Sequence, residues 1–150
     1  METKQTGWTI IFVFAITLFT FILFSILMPP QGEGGVLILA FSPVLLIVML
    51  LFYQLTVKVD RETIKIRFGI GLIRKSWKLS AIESAAPVRN SFFHGWGIHY
   101  TLNTAVYNVS GFSAVELSFR HSKRKVRIGT SEPERLAGYI NRLLEKDGRI

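Results

Sequence analysis

The chain has 150 residues, of which 49% are hydrophobic, and it carries a formal net charge of +8 from 18 basic and 10 acidic side chains. It contains no cysteine, which excludes disulfide bonds and thiolate metal sites. Residues 58–150 hold 17 of the bases and 8 of the acids. This distribution indicates an apolar N-terminal third followed by one small basic domain.

Two long uncharged runs dominate the first third of the chain, at residues 8–28 and 36–53. A helix needs about 20 apolar residues to cross a bilayer core of about 30 Å. Residues 29–35, between the runs, are rich in proline and glycine, which is typical of a turn. The runs predict a transmembrane hairpin, since a secretory signal is shorter with a basic start and a soluble helix pair shows polar positions at helical spacing.

The predicted spans contain hydroxyl residues and Pro43 but no ionisable side chain. The hydroxyls either line a polar path or bond to their own helix backbone, and the second interpretation is the more common one. Intramembrane charges mark ion and proton pathways, so their absence from this sequence argues against a pump or channel.

The basic residues nearest to the runs predict the orientation. None lies in residues 29–35, whereas Lys58, Arg61, Lys65 and Arg67 closely follow the second run. Because such bases favour the cytoplasmic side, we expect a multi-pass protein of the cytoplasmic (inner) membrane with cytoplasmic N- and C-termini. Residues 1–53 then form the hairpin, beginning with a short polar lead-in at residues 1–7, and residues 54–150 form a cytoplasmic domain.

Alternating apolar residues predict strands in this domain. The first two occupy residues 55–59 and 64–68, joined by a turn at residues 60–63. Residues 81–86 are compatible with a helical turn or a loop. A turn is expected at residues 120–124, and about seven strands are predicted, the other five at residues 72–78, 98–102, 105–109, 113–119 and 125–129.

The chain closes with a predicted amphipathic helix. Ser131 and Glu134 have the spacing of a capping box, and Gly148 is suited to end the helix. One apolar stripe follows helical spacing, formed by Leu136, Tyr139, Ile140, Leu143 and Leu144. Seven antiparallel strands and one such helix predict a small sandwich or barrel, with the helix covering an open end.

Short motifs are spread over residues 95–133 in the second half of this domain. They contain Gly95, Trp96, Gly97, Tyr107, Asn108, Gly111, Gly129 and Pro133. In order and spacing they resemble bacterial membrane proteins that carry a pleckstrin-homology-like (PH-like) domain after one or two spans. The resemblance implies a membrane helical hairpin and a seven-stranded, partly open barrel capped by a C-terminal amphipathic helix. It implies no reaction and no catalytic residues.

These motifs also have plain structural interpretations. The glycines around Trp96 lack the spacing of a phosphate loop and suit a turn that packs the indole onto the domain. Asn108 begins a formal glycosylation acceptor, but in a cytoplasmic strand-turn it predicts side-chain caps. His94, His99 and His121 are scattered, so no metal site or cofactor is predicted. No catalytic signature is present, and we expect no enzymatic activity.

Two basic clusters have two interpretations, a solvated surface or contact with anionic lipid head groups. One contains Arg74, Lys75 and Lys78, and the other contains Arg120, Lys123, Arg124 and Lys125. If the strands run up and down in chain order, the turns at residues 69–71 and 120–124 both return to the bilayer. Both clusters would then face lipid. Nucleic acid is a poor candidate partner, because no stripe of stacking and basic residues accompanies them.

The sequence therefore predicts a non-enzymatic, membrane-anchored PH-like module for interaction or scaffolding, with an unknown ligand. Its expected partners are the lipid bilayer, anionic lipid head groups, and a membrane protein or a second copy of itself. Two alternatives stay open: an accessory subunit of a membrane enzyme or transporter complex, and a module that senses anionic lipid.

Overall fold

The computed structural model describes residues 1–27, 33–91 and 97–146, without the side chains of residues 33–39. Strand β1 (Glu2–Thr6) precedes helices α1 (Trp8–Leu27) and α2 (Glu33–Phe52), and helix α3 (Pro133–Lys146) comes last. A short 3-10 helix, Leu79–Ala81, follows the fourth strand. The strands after α2 are β2 (Gln54–Val59), β3 (Thr63–Phe68), β4 (Ile73–Lys78), β5 (Ile82–Arg89), β6 (Gly97–Tyr100), β7 (Thr104–Asn108), β8 (Ser113–Phe119) and β9 (Ser122–Gly129).

Helix α1 is the one helix in the described residues that is long and apolar enough to cross a membrane. It corresponds to the predicted span at residues 8–28, whose last residue lies outside the described part. Helix α2 begins earlier than the predicted second span and ends at Phe52. The side chains of α2 are described for Ala40–Phe52 only, so the second crossing stays a prediction, and residues 29–32 of the turn lie outside the described part.

The hydroxyl groups of α1 are satisfied by their own helix. Thr17, Thr20 and Ser25 each donate to the carbonyl oxygen four residues earlier, at 2.8, 2.9 and 2.9 Å. This confirms the backbone-bonding interpretation for these three residues, because a hydroxyl donating to its own helix has no need of a polar path.

The predicted polar lead-in is wrong, because Glu2–Thr6 form a strand. Strand β1 pairs antiparallel with β2 over five residues, from Glu2 opposite Lys58 to Thr6 opposite Gln54. Gly7 N–H donates to Tyr53 O at 2.8 Å at the junction of β1 with α1 and of α2 with β2. The start of α1 and the end of α2 are therefore held together by a backbone hydrogen bond. Strand β1 leads directly into α1, and α2 leads directly into β2, with no linker at either junction.

The strands form two separate sheets in the described residues, with the orders β1-β2-β3-β4 and β5-β8-β9-β7-β6. Two expectations are wrong here: β7 and β9 pair in parallel, and residues 82–89 form a strand instead of a helical turn or loop. The described part of residues 54–150 contains eight strands, β2 to β9, where about seven are predicted. The predicted partly open PH-like barrel is not confirmed, since no ladder among the described residues joins the two sheets.

The interior lies between the sheets and beneath α3, which packs on β5 and β8. Leu136, Ile140 and Leu144 are fully buried, as the predicted stripe requires. Asn141 fastens the helix to the free edge of β5, since its side chain accepts from Ala85 N–H at 2.9 Å and donates to Ala85 O at 2.8 Å. Covering this edge removes a site for unwanted strand pairing.

The start of α3 differs from the predicted capping box. Leu136 N–H donates to Glu132 O at 3.0 Å, and Pro133 is the first helical residue. Glu132, not Ser131, therefore occupies the cap position, and proline takes the position where a missing N–H has no cost. Gly148 lies outside the described residues.

Candidate functional site

The outer face of the four-stranded sheet, which points away from the core, is strongly basic. Because successive side chains of a strand point to opposite faces, Leu55, Val57 and Ile66 point into the core and the side chains between them lie on the outer face. A shallow groove of about 490 Å³ crosses this outer face. It is lined by Glu2, Thr56, Lys58, Lys65, Ile66, Arg67, Arg74, Lys75 and Ser76.

Like charges stand directly opposite each other on this face. Lys58 pairs with Lys65 across β2 and β3, and we call these two residues the lysine pair. Arg67 pairs with Arg74 across β3 and β4, and we call them the arginine pair. Directly opposed like charges destabilise a sheet, whereas opposite charges stabilise it by about 0.2–1 kcal/mol. Two adjacent pairs of this kind indicate that the face is suited to an external anion.

Acidic side chains neutralise this face only in part. Lys4 lies 3.6 Å from Glu2, and Lys65 lies 3.7 Å from Asp60; all four side chains are substantially exposed. Among the described residues, Lys58, Arg67 and Arg74 have no carboxylate within 4.0 Å. Glu2 lies opposite Lys58 in the β1–β2 ladder and partly offsets its charge, whereas the positive charge of Arg67 and Arg74 is available to a bound anion.

The two pairs lie at different distances from the helices. Gly69, just after Arg67, donates its N–H to Gln54 O at 2.7 Å at the junction with α2. The arginine pair lies level with Thr56, whereas the lysine pair lies two residues farther along the strands, about 7 Å at about 3.3 Å per residue. The arginine pair is thus the part of the face nearest to α1 and α2.

The first predicted basic cluster lies on β4, the edge strand of this sheet. Arg74 joins the outer face, and Lys78 is exposed at the far end of β4, opposite Thr63. Lys75 is opposite buried Ile66, so strand alternation turns its side chain away from the outer face, although this edge-strand residue still borders the groove. Charges on an edge strand also block pairing with other chains, which accounts for Lys75 without a ligand.

The hairpin of the second predicted cluster is remote from Arg74 and from the arginine pair, and it lies at the same end of the domain as Lys78. Arg120 N–H donates to Ala81 O at 3.1 Å, and nearby Leu79 N–H donates to Glu62 O at 2.8 Å, so this hairpin lies at the end of the domain opposite to Gly69. The simple up-and-down order is wrong, because β8 pairs with β5 and β9 lies between β8 and β7. The turn is also shorter than expected, since β9 begins at Ser122 and contains Lys123, Arg124 and Lys125.

Lys125 takes part in an ion cluster on the five-stranded sheet, in which Glu116 is buried and Lys125 is about half exposed. Its Nζ lies 2.6 Å from Glu116 Oε1, and Arg127 Nε lies 2.8 Å from Glu116 Oε2. Burial alone would raise the pKa of the Glu116 carboxyl, but the hydrogen bonds and charges of Lys125 and Arg127 together lower it below its ordinary value. Lys125 therefore has a partner within the fold.

The fold motifs have structural roles where they are described. Tyr107 is buried, and its hydroxyl lies 3.3 Å from Tyr100 Oη; burial and this neighbour raise the pKa of Tyr107. Asn108 Oδ1 accepts from Ser110 N–H at 3.3 Å and its Nδ2 donates to Gly111 O at 2.9 Å, which confirms the capped turn. At Gly129 a Cβ would lie 2.2 Å from Asn108 Oδ1, so a larger residue there would have to displace the Asn108 side chain.

The other motif residues add no site in the described part of the chain. Gly97 begins β6 with a positive φ of 105°, whereas Gly95, Trp96 and His94 lie outside the described residues. No group of three or more potential metal ligands occurs in the described part of the chain.

The basic outer face of the four-stranded sheet was missed from the sequence because Lys58, Lys65, Arg67 and Arg74 meet only through two ladders. The alternation of Lys58, Lys65 and Arg67 with apolar residues was the available signal.

Comparisons with protein-family models, with curated proteins and with solved structures gave no match to this chain, so the resemblance to PH-like membrane proteins stays a prediction.

Proposed function

We propose that this protein is a membrane-anchored, non-enzymatic interaction module that presents the basic outer face of its four-stranded sheet to an anionic partner. One observation carries the proposal: the helices continue into β1 and β2 without a linker, and the Gly7 to Tyr53 hydrogen bond fastens the junction. A sheet connected in this way is held at a constant height and orientation relative to the helices.

The charge of the outer face supports an anionic partner. The lysine pair lies about five residues beyond Tyr53, or roughly 16 Å at about 3.3 Å per residue. At that height a cytoplasmic protein partner reaches it more readily than the lipid head groups do. Steering by a positive face raises association rates with acidic surfaces.

The membrane arrangement is part of the proposal. It places both helices in the bilayer and the sheets in the cytoplasm of a bacterial cell, with a PH-like arrangement of the domain. Two observations support it: the joined ends of α1 and α2 lie at the domain, and Lys58, Arg61 and Lys65 follow α2 closely.

The test is copurification of the full chain from gently solubilised membranes, with two matched variants. Lys58→Gln with Lys65→Gln removes the lysine pair, and Lys123→Gln with Arg124→Gln removes equal charge from the remote hairpin. We expect a stoichiometric protein partner to copurify with the parent and the hairpin variant and to be lost from the lysine-pair variant. Equal recovery with both variants would contradict the assignment of the face.

The same experiment also tests the alternative function, an accessory subunit of a membrane enzyme or transporter complex. Recovery of a catalytic or transporting partner that both variants retain would support an accessory subunit, whose contacts lie elsewhere. The exposed apolar side chains of α1, among them Phe12, Ile16 and Phe19, are the surface such a subunit would use within the membrane.

A further inference from the structure

The turn between β3 and β4 exposes two large apolar side chains beside the helices. Ile70 is 57% exposed and Leu72 is 75% exposed, although tight turns are usually polar. Ile70 N–H donates to Leu50 O at 3.2 Å, and Leu50 belongs to the last turn of α2. The turn is therefore level with the end of α2, where a spanning helix meets the head groups.

The arginine pair bends toward this same turn. Arg74 Nε donates to Gly71 O. A Cβ placed on Gly71 would lie 2.8 Å from Arg67 Cδ and 3.4 Å from Arg74 Nη2, so both side chains lie over this glycine. Both arginine side chains thus lie beside the turn that exposes Ile70 and Leu72. In the described residues no acid lies within 4.0 Å of either arginine.

We propose that the β3–β4 turn is an interfacial anchor: Ile70 and Leu72 enter the bilayer and the arginine pair binds the phosphate of an anionic lipid. The inference rests on the proposed membrane anchoring and assigns a ligand class to the lower part of the outer face. Arginine suits phosphate, since its planar group donates several hydrogen bonds in a fixed geometry. Lipid rather than free phosphate is favoured because the apolar tip and the connection to α2 place the pair at a membrane surface.

The depth of the turn is tested first, on the full chain in liposomes. Because the chain lacks cysteine, an environment-sensitive dye can be attached to Leu72→Cys, to Phe19→Cys within α1, and to Ser122→Cys on the remote hairpin. Spin-labelled lipids should quench the dye at positions 72 and 19 and spare the dye at position 122. An unquenched dye at position 72 with a quenched dye at position 19 would overturn the interfacial anchor and leave the membrane anchoring intact.

An unquenched dye at position 19 would overturn the proposed anchoring itself, and the inference with it. The two failures are thus told apart by one set of samples. Substitution at Leu72 leaves the core unchanged, because this side chain is mostly exposed.

The phosphate contact is tested by the affinity of the full chain, in nanodiscs of neutral lipid, for a short-chain anionic phospholipid. Each base near a membrane surface contributes about fivefold, so Arg67→Gln with Arg74→Gln should weaken binding by about 25-fold. Lys123→Gln with Arg124→Gln should leave binding unchanged. Equal affinity of the parent and the arginine variant would overturn the phosphate contact, and equally tight binding of inorganic phosphate alone would overturn the assignment to lipid.

Discussion

Gly69 lies where the sheet meets the helix pair, and its replacement tests whether that junction is rigid. Its φ is +44°, and a Cβ added there would lie 2.0 Å from Leu50 O and 2.6 Å from Leu51 O. These atoms belong to helix backbone, so they cannot rotate away as a side chain would. Gly69→Ala must therefore displace either the β3–β4 turn or the end of α2.

The expected cost has two parts. A left-handed backbone costs a non-glycine residue about 1–2 kcal/mol. Relieving the overlap with backbone costs about 1–3 kcal/mol more, as in other overpacked sites. The displacement also threatens the hydrogen bonds from Gly69 N–H to Gln54 O and from Ile70 N–H to Leu50 O. Gly69→Ala should therefore destabilise the domain by about 2–5 kcal/mol.

Two glycines serve as matched controls. Gly111 has φ +64° with no atom within 4 Å of an added Cβ, so its alanine variant carries only the backbone cost. Gly138, within α3, also has open space around an added Cβ, and alanine there favours the helix by about 1 kcal/mol. The order of stability should be Gly138→Ala above the parent, then Gly111→Ala, then Gly69→Ala.

The assay is thermal unfolding of the full chain in micelles, followed by the circular dichroism of the sheets. For a domain of this size, about 1 kcal/mol shifts the midpoint by about 4–8 °C. Gly69→Ala should therefore lower the midpoint by at least about 8 °C. If Gly69→Ala and Gly111→Ala melt together, the close approach of Gly69 to α2 is refuted.

Three further outcomes are expected. Ile140→Asp places an unpaired charge in the core, where Ile140 is 0% exposed. It should lower the free energy of unfolding by several kcal/mol and make the domain protease-sensitive, whereas Arg142→Asp at an exposed position should not. Because Glu116 has a lowered pKa in the fold, its stabilisation is present above its ordinary value of 4.5 and is lost as the pH falls toward the lowered value. Glu116→Gln should remove this acid sensitivity from the unfolding midpoint; an unchanged pH profile would contradict the ion cluster. An impermeant thiol reagent on intact cells should label Gly32→Cys and spare Ser122→Cys, and the reverse pattern would exclude a cytoplasmic domain.

Helices and strands whose apolar residues repeat at a regular spacing could be predicted from the sequence. The uncharged run from Trp8 specifies a helix of membrane length because no position in it favours water. The alternation in β2 and β3 and the stripe of α3 specify which side chains are buried, because the period of each element selects one face. The caps of Asn108 follow from a side chain that bonds to nearby backbone. The turn after β2 is closed by a backbone bond from Asp60 N–H to Thr63 O at 2.9 Å.

Only the tertiary structure decided which strands pair. Glu2–Thr6 has no apolar alternation and becomes a strand because β2 offers a free edge. Residues 82–89 contain Pro87 and small residues, and they extend because β8 binds them on one side and α3 covers the other. The parallel pairing of β7 with β9 and the remote position of the Arg120 turn depend on contacts between distant residues, which no local pattern encodes.

For the candidate site too, the sequence predicted some features and only the tertiary structure decided the others. Alternation in the sequence puts Lys58, Lys65 and Arg67 on the outward side of their strands. The opposition of like charges requires the exact register of two ladders, and the approach of Arg67 and Arg74 over Gly71 requires the turn that joins them. The sequence by itself thus determined the charge of this surface, whereas the tertiary structure decided its position beside the helices, because register is set by pairing between strands and by packing against α2.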